Sequence, residues 1–162
     1  MLLRCVPIPE GSTGHETGRK LLAQLYREYT GNGLPPIQTG DRGKPCFTDS
    51  PLHFSISHTR KWVFCASSDV PIGVDAEELD RNVSPRLAEK ILSPAEYAQF
   101  EAAQDKNRAL LTFWVLKEAQ GKLTGEGING YPDHTHFSLD DPRVSIQNGC
   151  LLAVIKENDH AF

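Results

Sequence analysis

The order of helical and strand-like segments limits the fold of this chain more than any other feature. The first segment, from about Glu16 to Thr30, is typical of an amphipathic helix, because apolar residues recur at helical spacing and Gly31 follows as a stop signal. The stretch from Gly31 to Pro51 is rich in Gly, Pro and Asp, which indicates turns and loops. Three β-rich segments with turn residues between them come next: His53–Ser57, Trp62–Ser67 and Ile72–Glu77.

Helices followed by strands return in the second part of the chain. Ser84 and Ser93 each precede a proline, which is typical of a helix N-cap, and Ser93 with Glu96 also forms a capping-box pattern. A longer helix is predicted from about Lys106 to Leu123, with Gly125 near its end. Three further strands are predicted, the last two joined by an Asn148-Gly149 hairpin turn: His134–Leu139, Val144–Gln147 and Cys150–Ile155.

This order predicts an α+β protein made of two similar α/β halves. Two similar halves that face each other would be related by pseudo-two-fold symmetry and would form a cleft between them, where ligands often bind. Residues 1–70 are predicted to form the N-terminal half, and residues 71–162 the C-terminal half with the candidate acidic residues. A chain of 162 residues is long enough to bury a core, so the two halves are expected to pack as one compact unit.

Composition excludes several classes of function. The chain is 39% hydrophobic and 23% charged, which is typical of a globular protein and not of a disordered one. Its net charge of −4 disfavours general nucleic-acid binding. The four cysteines show no Cys-x-x-Cys spacing, so neither a zinc site nor a redox pair is indicated. There is no signal-peptide pattern and no run of about 18 apolar residues, so we expect a cytoplasmic protein without a membrane span.

Two carboxylates lie side by side on the third predicted strand. Side chains alternate between the faces of a strand, so Gly73, Asp75 and Glu77 share one face. Like charges this close repel each other, and a hard divalent cation would relieve the repulsion and suit the carboxylate oxygens. The alternative is a solvated strand end with two surface acids, which this segment alone favours slightly.

The long predicted helix places three functional side chains on one face. Trp114, Glu118 and Lys122 are spaced four residues apart. One interpretation makes Glu118 a third oxygen ligand of the cation and Lys122 a partner for phosphate. The other is a Glu-to-Lys pair that only stabilises the helix by a few tenths of a kcal/mol. The spacing does not decide between them.

A third group of polar residues lies in and after the first loop region. Gly43, Lys44 and Pro45 form a rigid turn with one cation, and Ser57 and His58 end a strand with donors suited to phosphate oxygens. Each part alone is more simply explained as a turn or a polar strand end. A Ser57–His58 nucleophilic dyad is not expected, because neighbouring strand residues point to opposite faces.

Taken in order, these segments resemble one family. The ordered set is Gly-Lys-Pro, His-Phe-x-Ile-Ser-His, Gly-Val-Asp-x-Glu and Trp-x-x-Lys-Glu-Ala-x-x-Lys, and Ile91 to Tyr97 adds a further similar helix start. Each motif is weak alone, but the ordered set is specific. From about Glu16 to Ile155 the chain resembles the surfactin-synthetase-activating type of 4′-phosphopantetheinyl transferase.

The resemblance implies a role for each matching residue. Asp75, Glu77 and Glu118 match the family's magnesium ligands, for which manganese is an alternative. At the phosphates of the coenzyme A substrate, the matching residues are Lys122, Ser57 and His58. Beside its adenine end they are Gly43, Lys44 and Pro45. In catalysis they are Glu118, Lys122 and Glu96. The capping box explains Glu96 equally well.

The resemblance also implies an activity and its partners. The chain is expected to move phosphopantetheine from coenzyme A to a serine of an apo carrier protein of fatty-acid, polyketide or peptide synthesis. Since both halves are present, one subunit is expected to complete its own site, and a monomer is expected.

Longer members hold the 3′-phosphate with an N-terminal basic segment that this chain is expected to lack, and Arg19 or Lys20 is the weakly supported substitute. A basic and apolar patch between Arg81 and Lys90 is a candidate carrier-docking surface, although a solvated helix face explains it as well.

Other functions stay open from the sequence. One is a non-catalytic module of the same fold that binds coenzyme A or a carrier protein. Another is a magnesium-dependent hydrolase acting on a nucleotide or pyrophosphate. His134 and His136 could pair at a metal, but no third ligand is evident, so plain strand residues are favoured.

Overall fold

The computed structural model describes residues 1–40, 42–128 and 136–157. In the first half, one helix packs on a three-stranded antiparallel sheet of order β1-β5-β4. Its elements are β1 (Leu2–Pro7), α1 (Gly14–Thr30), β4 (His53–His58) and β5 (Trp62–Ser68), with a small hairpin of β2 (Ile37–Thr39) and β3 (Pro45–Phe47) before β4. Thr13 and Glu16 form a capping box at the start of α1, and Gly31 ends the helix in the left-handed conformation.

The second half contains another three-stranded antiparallel sheet, of order β6-β8-β7. Its elements are β6 (Ile72–Glu78), a 3₁₀ turn (Pro85–Leu87), α2 (Ala88–Ile91), α3 (Pro94–Ala102), α4 (Lys106–Thr124), β7 (Val144–Gln147) and β8 (Cys150–Lys156). Both sheets therefore follow a strand–helix–strand–strand order with the last strand in the centre. The mixed helix-and-sheet architecture agrees with the α+β prediction, and the pseudo-two-fold axis stays a prediction.

Each half has its own apolar cluster, and a third cluster lies between the sheets. Leu21, Leu22 and Leu25 of α1 are almost completely buried against the first sheet. The third cluster takes residues from both halves: Phe64, Ala66, Ile72, Val74, Ala76, Cys150 and Leu152. Burial of one large aliphatic or aromatic side chain contributes about 1.5–3 kcal/mol, so this shared cluster holds the two sheets together.

Helix α4 lies unusually close to strand β6. A Cβ atom on Gly73 would be only 1.9 Å from the carbonyl oxygen of Ala119 and 2.6 Å from the amide nitrogen of Leu123. Only glycine leaves room for this approach, because every other residue has a Cβ atom. The close approach places residues 118 and 122 of α4 beside the acidic face of β6.

Strands β4 and β6 are joined by serine side chains. The Ser55 hydroxyl accepts a hydrogen bond from the Val74 amide at 2.9 Å, and the Ser57 hydroxyl accepts one from the Ala76 amide at 3.1 Å. Both serines are buried, so these bonds satisfy amides that would otherwise lose water without a partner. They align the end of β4 with the acidic segment of β6.

Most predicted segments are confirmed within a residue or two, and the differences have physical causes. The prediction missed β1, and it assigned β2 and β3 to loop because each has only three residues in a Gly- and Pro-rich stretch. The strand predicted at His134–Leu139 is wrong for residues 136–139, which are irregular, while 134 and 135 lie outside the described residues. Side chains of α3 bind the backbone there: the amides of Phe137 and Leu139 donate to Glu96 and Gln99. Within the described ranges, no helix has both the length and the apolar character needed to span a membrane.

Candidate functional site

A small cavity of about 290 Å³ lies where β4, β6 and α4 meet. The structure brings together here the residues predicted to bind metal and phosphate. The cavity is lined by Ile56, Ser57, His58, Asp75, Ala76, Glu77, Trp114, Glu118 and Lys122. We call it the acidic pocket. As expected for a strand, Asp75 and Glu77 face α4, while Ile72, Val74 and Ala76 face the core between the sheets.

In the acidic pocket, Asp75 is held by hydrogen bonds to one of its two carboxylate oxygens. Its Oδ1 atom accepts hydrogen bonds from the Lys122 ammonium at 2.7 Å and from the Ser57 hydroxyl at 2.9 Å. Its Oδ2 atom is buried and has no hydrogen-bond partner among the described residues. A buried carboxylate oxygen without a partner is costly, so the protein donors fix one oxygen and leave the other ready for a ligand.

Glu77 is held in a similar way through one oxygen. Its Oε1 atom accepts from the Trp114 indole N–H at 3.2 Å and also pairs with the Arg81 guanidinium. Burial raises the pKa of Glu77, the Arg81 charge opposes that rise, and the Asp75 charge adds to it. The Arg81–Glu77 contact was not predicted, because it is made across the turn that ends β6.

Glu118 faces the same cavity from α4. No hydrogen bond or ion pair holds its carboxylate within the described ranges of the chain. Burial raises the pKa of Glu118, the nearby Asp75 charge raises it further, and Lys122 opposes the rise. A free, half-buried carboxylate with a raised pKa is suited to accept a proton or to bind a cation.

The acidic pocket has the donors that a hard divalent cation prefers. Asp75, Glu77 and Glu118 supply carboxylate oxygens, and the unpartnered Asp75 Oδ2 is available to a ligand. In the ranges that the structure describes, no three His, Cys, Asp or Glu side chains are already gathered around one point. The residues fit Mg²⁺ or Mn²⁺ in chemistry, because both ions prefer oxygen ligands.

A second and larger cavity of about 410 Å³ adjoins the acidic pocket. We call it the basic pocket, since six of its lining residues are cationic or can become so: His15, Arg19, Lys122, Arg42, Lys44 and His58. Gly43 and Pro45 of the Gly-Lys-Pro turn also line it. The two pockets share Ile56, His58, Glu118 and Lys122. An anionic ligand in the basic pocket can therefore reach the carboxylates.

The Gly-Lys-Pro turn has a structural function that the sequence did not reveal. The Lys44 ammonium donates to the carbonyl oxygens of Ile72 and Leu123, both at 3.0 Å, and burial lowers the pKa of Lys44. It thus fastens the β2–β3 hairpin to β6 and to the end of α4. Gly43 adopts the left-handed conformation, with φ of 79°, which favours glycine in this turn.

His58 lies at the end of β4, against the first turn of α1. A Cβ atom on Gly14 would be 2.6 Å from the ring carbon of His58, so glycine at this position lets the imidazole sit beside the helix N-terminus. Ser57 instead turns its hydroxyl to Asp75. The two side chains diverge, in agreement with the exclusion of a Ser–His dyad. His15 and Arg42 were missed as pocket residues; the first is four residues before Arg19 on α1, and the second directly precedes the Gly-Lys-Pro turn.

Glu96 lies in neither pocket. It is completely buried, accepts from the Ser93 and Phe137 amides at 2.8 and 3.0 Å, and pairs with Lys117 at 2.8 Å. The predicted capping box is confirmed. These contacts join α3, α4 and the irregular segment at residues 136–139, so the geometry favours a structural role for Glu96.

Among the described residues, the remaining predicted sites show no group of metal ligands. His136 contacts the Ser93 hydroxyl through Nδ1 at 3.1 Å, whereas His134 lies outside the described residues. In the patch between Arg81 and Lys90, Arg86 is exposed and Leu87 is half-buried.

The fold and its two adjoining pockets define a protein suited to binding a phosphorylated ligand beside three carboxylates. The family model described as "4'-phosphopantetheinyl transferase superfamily" matches residues 71–158, more than half of the chain. The chain therefore belongs to the 4′-phosphopantetheinyl transferase superfamily.

Individual relatives agree with this assignment. The chain is 37% identical over 116 residues to the 4′-phosphopantetheinyl transferase Sfp of Bacillus subtilis, covering 68% of this chain and 51% of the relative. It is 34% identical over 136 residues to psf-1 of Bacillus pumilus, covering 82% and 54%. It is 33% identical over 112 residues to gsp of Aneurinibacillus migulanus, covering 68% and 46%. The chain spans about half the length of these curated relatives.

Proposed function

We propose that the protein transfers 4′-phosphopantetheine from coenzyme A to a serine hydroxyl of an apo carrier protein and releases adenosine 3′,5′-bisphosphate. Membership of the superfamily and the names of the relatives support this activity. The observation that carries the proposal is the junction of the two pockets. His58, Glu118 and Lys122 line both, so a diphosphate held by the cations lies against the carboxylates.

The proposal includes a divalent cation, Mg²⁺ or Mn²⁺, held by Asp75, Glu77 and Glu118. When bound, it neutralises charge on the diphosphate oxygens as a Lewis acid. The unpartnered and buried Asp75 Oδ2 supports this assignment. Burial of a carboxylate oxygen without a hydrogen-bond donor costs free energy, and a bound cation would offset that cost.

The reacting groups are assigned from their positions around the pockets. The carrier serine oxygen attacks the β-phosphorus of coenzyme A, and the bond from that phosphorus to the bridging oxygen breaks. Lys122 and His58 line both pockets and are proposed to hold phosphate oxygens on the leaving side. Glu118 is proposed to take the serine proton with the carboxylate oxygen that the cation does not use, because no described residue holds this carboxylate and it faces both pockets. Glu96 was the second candidate base, and its burial and its pairing with Lys117 favour Glu118 instead.

The residues around the adenosine part are proposed from the lining of the basic pocket. Gly43 and Pro45 contribute backbone and ring surface, and Arg19 and Arg42 contribute positive charge. The Lys44 ammonium is already bound to two carbonyl oxygens, so we assign it to positioning this loop in addition to contacting the ligand.

The carrier protein is proposed to dock on the patch between Arg81 and Lys90, where Arg86 is exposed beside the half-buried Leu87.

One subunit supplies both pockets, so the protein is proposed to act as a monomer. Light scattering during turnover tests this point, and activity confined to a trimeric fraction would remove it. The protein is also proposed to be cytoplasmic.

One assay tests the proposed function. The full chain is incubated with coenzyme A, MgCl₂ and an apo carrier protein, and mass spectrometry is expected to show a gain of roughly 340 Da, the phosphopantetheine mass expected for this phosphoryl transfer. A carrier with its acceptor serine replaced by alanine and a reaction with EDTA serve as controls. Coenzyme A binding without any mass gain would indicate a non-catalytic binding module, and diphosphate cleavage without an acceptor would indicate a hydrolase.

A further inference from the structure

The turn after β6 places a guanidinium directly on one of the proposed metal ligands. Arg81 is ion-paired with Glu77 Oε1, and its guanidinium carbon lies 5.5 Å from the centroid of the Trp114 ring. The Trp114 indole N–H donates to that same carboxylate oxygen at 3.2 Å. Arg81 is therefore held by a charge on one side and by an aromatic face on the other.

The backbone of this turn is fixed by α4. The Asn107 side-chain NH₂ group donates to the Arg81 backbone carbonyl oxygen at 2.8 Å. The Asn107 side-chain oxygen accepts from the Val83 backbone amide at 2.9 Å. The Arg81 amide also donates to the Glu78 carbonyl oxygen at 3.0 Å. Three hydrogen bonds therefore hold the turn that directs the Arg81 side chain towards the acidic pocket.

The contacts of the three carboxylates show what the guanidinium does. Lys122 neutralises Asp75, Arg81 neutralises Glu77, and no described residue pairs with Glu118. The protein thus supplies two cationic side chains for three carboxylates. A divalent cation that approaches Glu77 meets the positive charge of Arg81 within a few ångströms, and it must compete for the same carboxylate.

We propose that Arg81 is a positioning residue that acts as a resident counter-ion: it holds Glu77 in place and weakens the binding of a divalent cation. This inference rests on the metal site of the proposed function. Removal of the Arg81 charge is expected to tighten Mn²⁺ binding about tenfold, the effect of a unit charge about 6 Å from a divalent ion in a water-like dielectric.

The test is Mn²⁺ titration of the full chain without coenzyme A, with free Mn²⁺ measured by electron paramagnetic resonance. Arg81→Gln removes the charge, whereas Arg81→Lys keeps it and is expected to stay within about twofold of the wild type. Arg86→Gln is the matched control, since it removes one positive charge from an exposed residue that forms no ion pair with any described residue. The gain in Arg81→Gln is expected to shrink in 0.5 M KCl, because salt screens the exposed guanidinium.

The variants separate this inference from the proposed function. Asp75→Asn is expected to lose Mn²⁺ binding, and an unchanged Kd there would show that the ion does not bind in the acidic pocket, which removes the metal site itself. If Asp75→Asn loses binding while Arg81→Gln keeps the wild-type Kd or binds more weakly, the metal site stands and the counter-ion role of Arg81 is refuted. Equal gains in Arg81→Gln and Arg86→Gln would also refute it, because net charge alone would then explain the effect.

Discussion

Replacement of Gly73 by alanine tests the contact that brings α4 to the acidic face of β6. The added methyl carbon would lie 1.9 Å from the Ala119 carbonyl oxygen. The shortest comfortable distance between such atoms is about 3.3 Å, so the helix or the strand must move by more than 1 Å. The neighbours are backbone atoms in the middle of a helix, which cannot rotate away as a flexible side chain would.

The expected cost follows from this displacement. Overpacking of a well-packed core costs typically about 1–3 kcal/mol, and the short contact places Gly73→Ala at the upper end, near 3 kcal/mol. For a chain of this size, that loss lowers the Tm by roughly 6–12 °C. The same shift moves the Lys122 ammonium away from Asp75 Oδ1, now 2.7 Å apart, so the proposed transferase activity is expected to fall with stability.

Urea unfolding followed by circular dichroism measures this loss. Gly33→Ala is the matched control, because a Cβ atom at Gly33 meets no atom within 4 Å and the residue does not have a positive φ. The control is expected to be neutral or slightly stabilising. A Gly73→Ala protein within about 0.5 kcal/mol of the wild type would refute the argument that this glycine sets the position of α4.

Three further predictions concern charged groups in and around the site. Glu118→Gln is expected to raise the Tm at pH 7 but not at pH 4. A carboxyl whose folded-state pKa is raised stabilises the fold only while it is protonated, and this contribution is lost as the pH rises through the folded pKa. Equal Tm changes at both pH values in differential scanning calorimetry would contradict this expectation. Asp75→Asn is expected to lower the pKa of Glu118, because it removes a neighbouring negative charge; a carboxyl carbon NMR titration that shows no downward shift would rule the effect out. Lys117→Met is expected to lose about 3–5 kcal/mol, because it leaves the Glu96 carboxylate buried without its cation; chemical unfolding measures the loss, and a change below about 1 kcal/mol would show that other donors satisfy Glu96.

Much of the local structure was predictable because it depends on neighbours in sequence. The alternation along residues 72–77 placed Asp75 and Glu77 on one face, and the structure agrees. The helix spacing correctly put Glu118 and Lys122 on the same side of α4. The capping box at Ser93 was also correct, since its hydrogen bonds join residues three apart.

The parts that could not be predicted depend on contacts between distant residues. Phe137 and Glu96 are far apart in sequence, and their hydrogen bond replaces the strand pairing expected near residue 137. Likewise, the Lys44 ammonium is chemically suited to bind phosphate, but it donates to two backbone carbonyl oxygens of the other half. Nothing local distinguishes these outcomes, because burial and partners arise only when the elements pack.

The sequence by itself determined which segments become helix or strand and which side chains share a face. Side-chain periodicity is a property of the backbone and needs no tertiary contact. Only the tertiary structure decided that the faces of β6 and α4 meet, that Lys122 and Arg81 neutralise two of the three carboxylates, and that Glu96 lies inside the protein. Electrostatic energies and burial depend on distances of a few ångströms between residues from different parts of the chain, and packing alone establishes those distances.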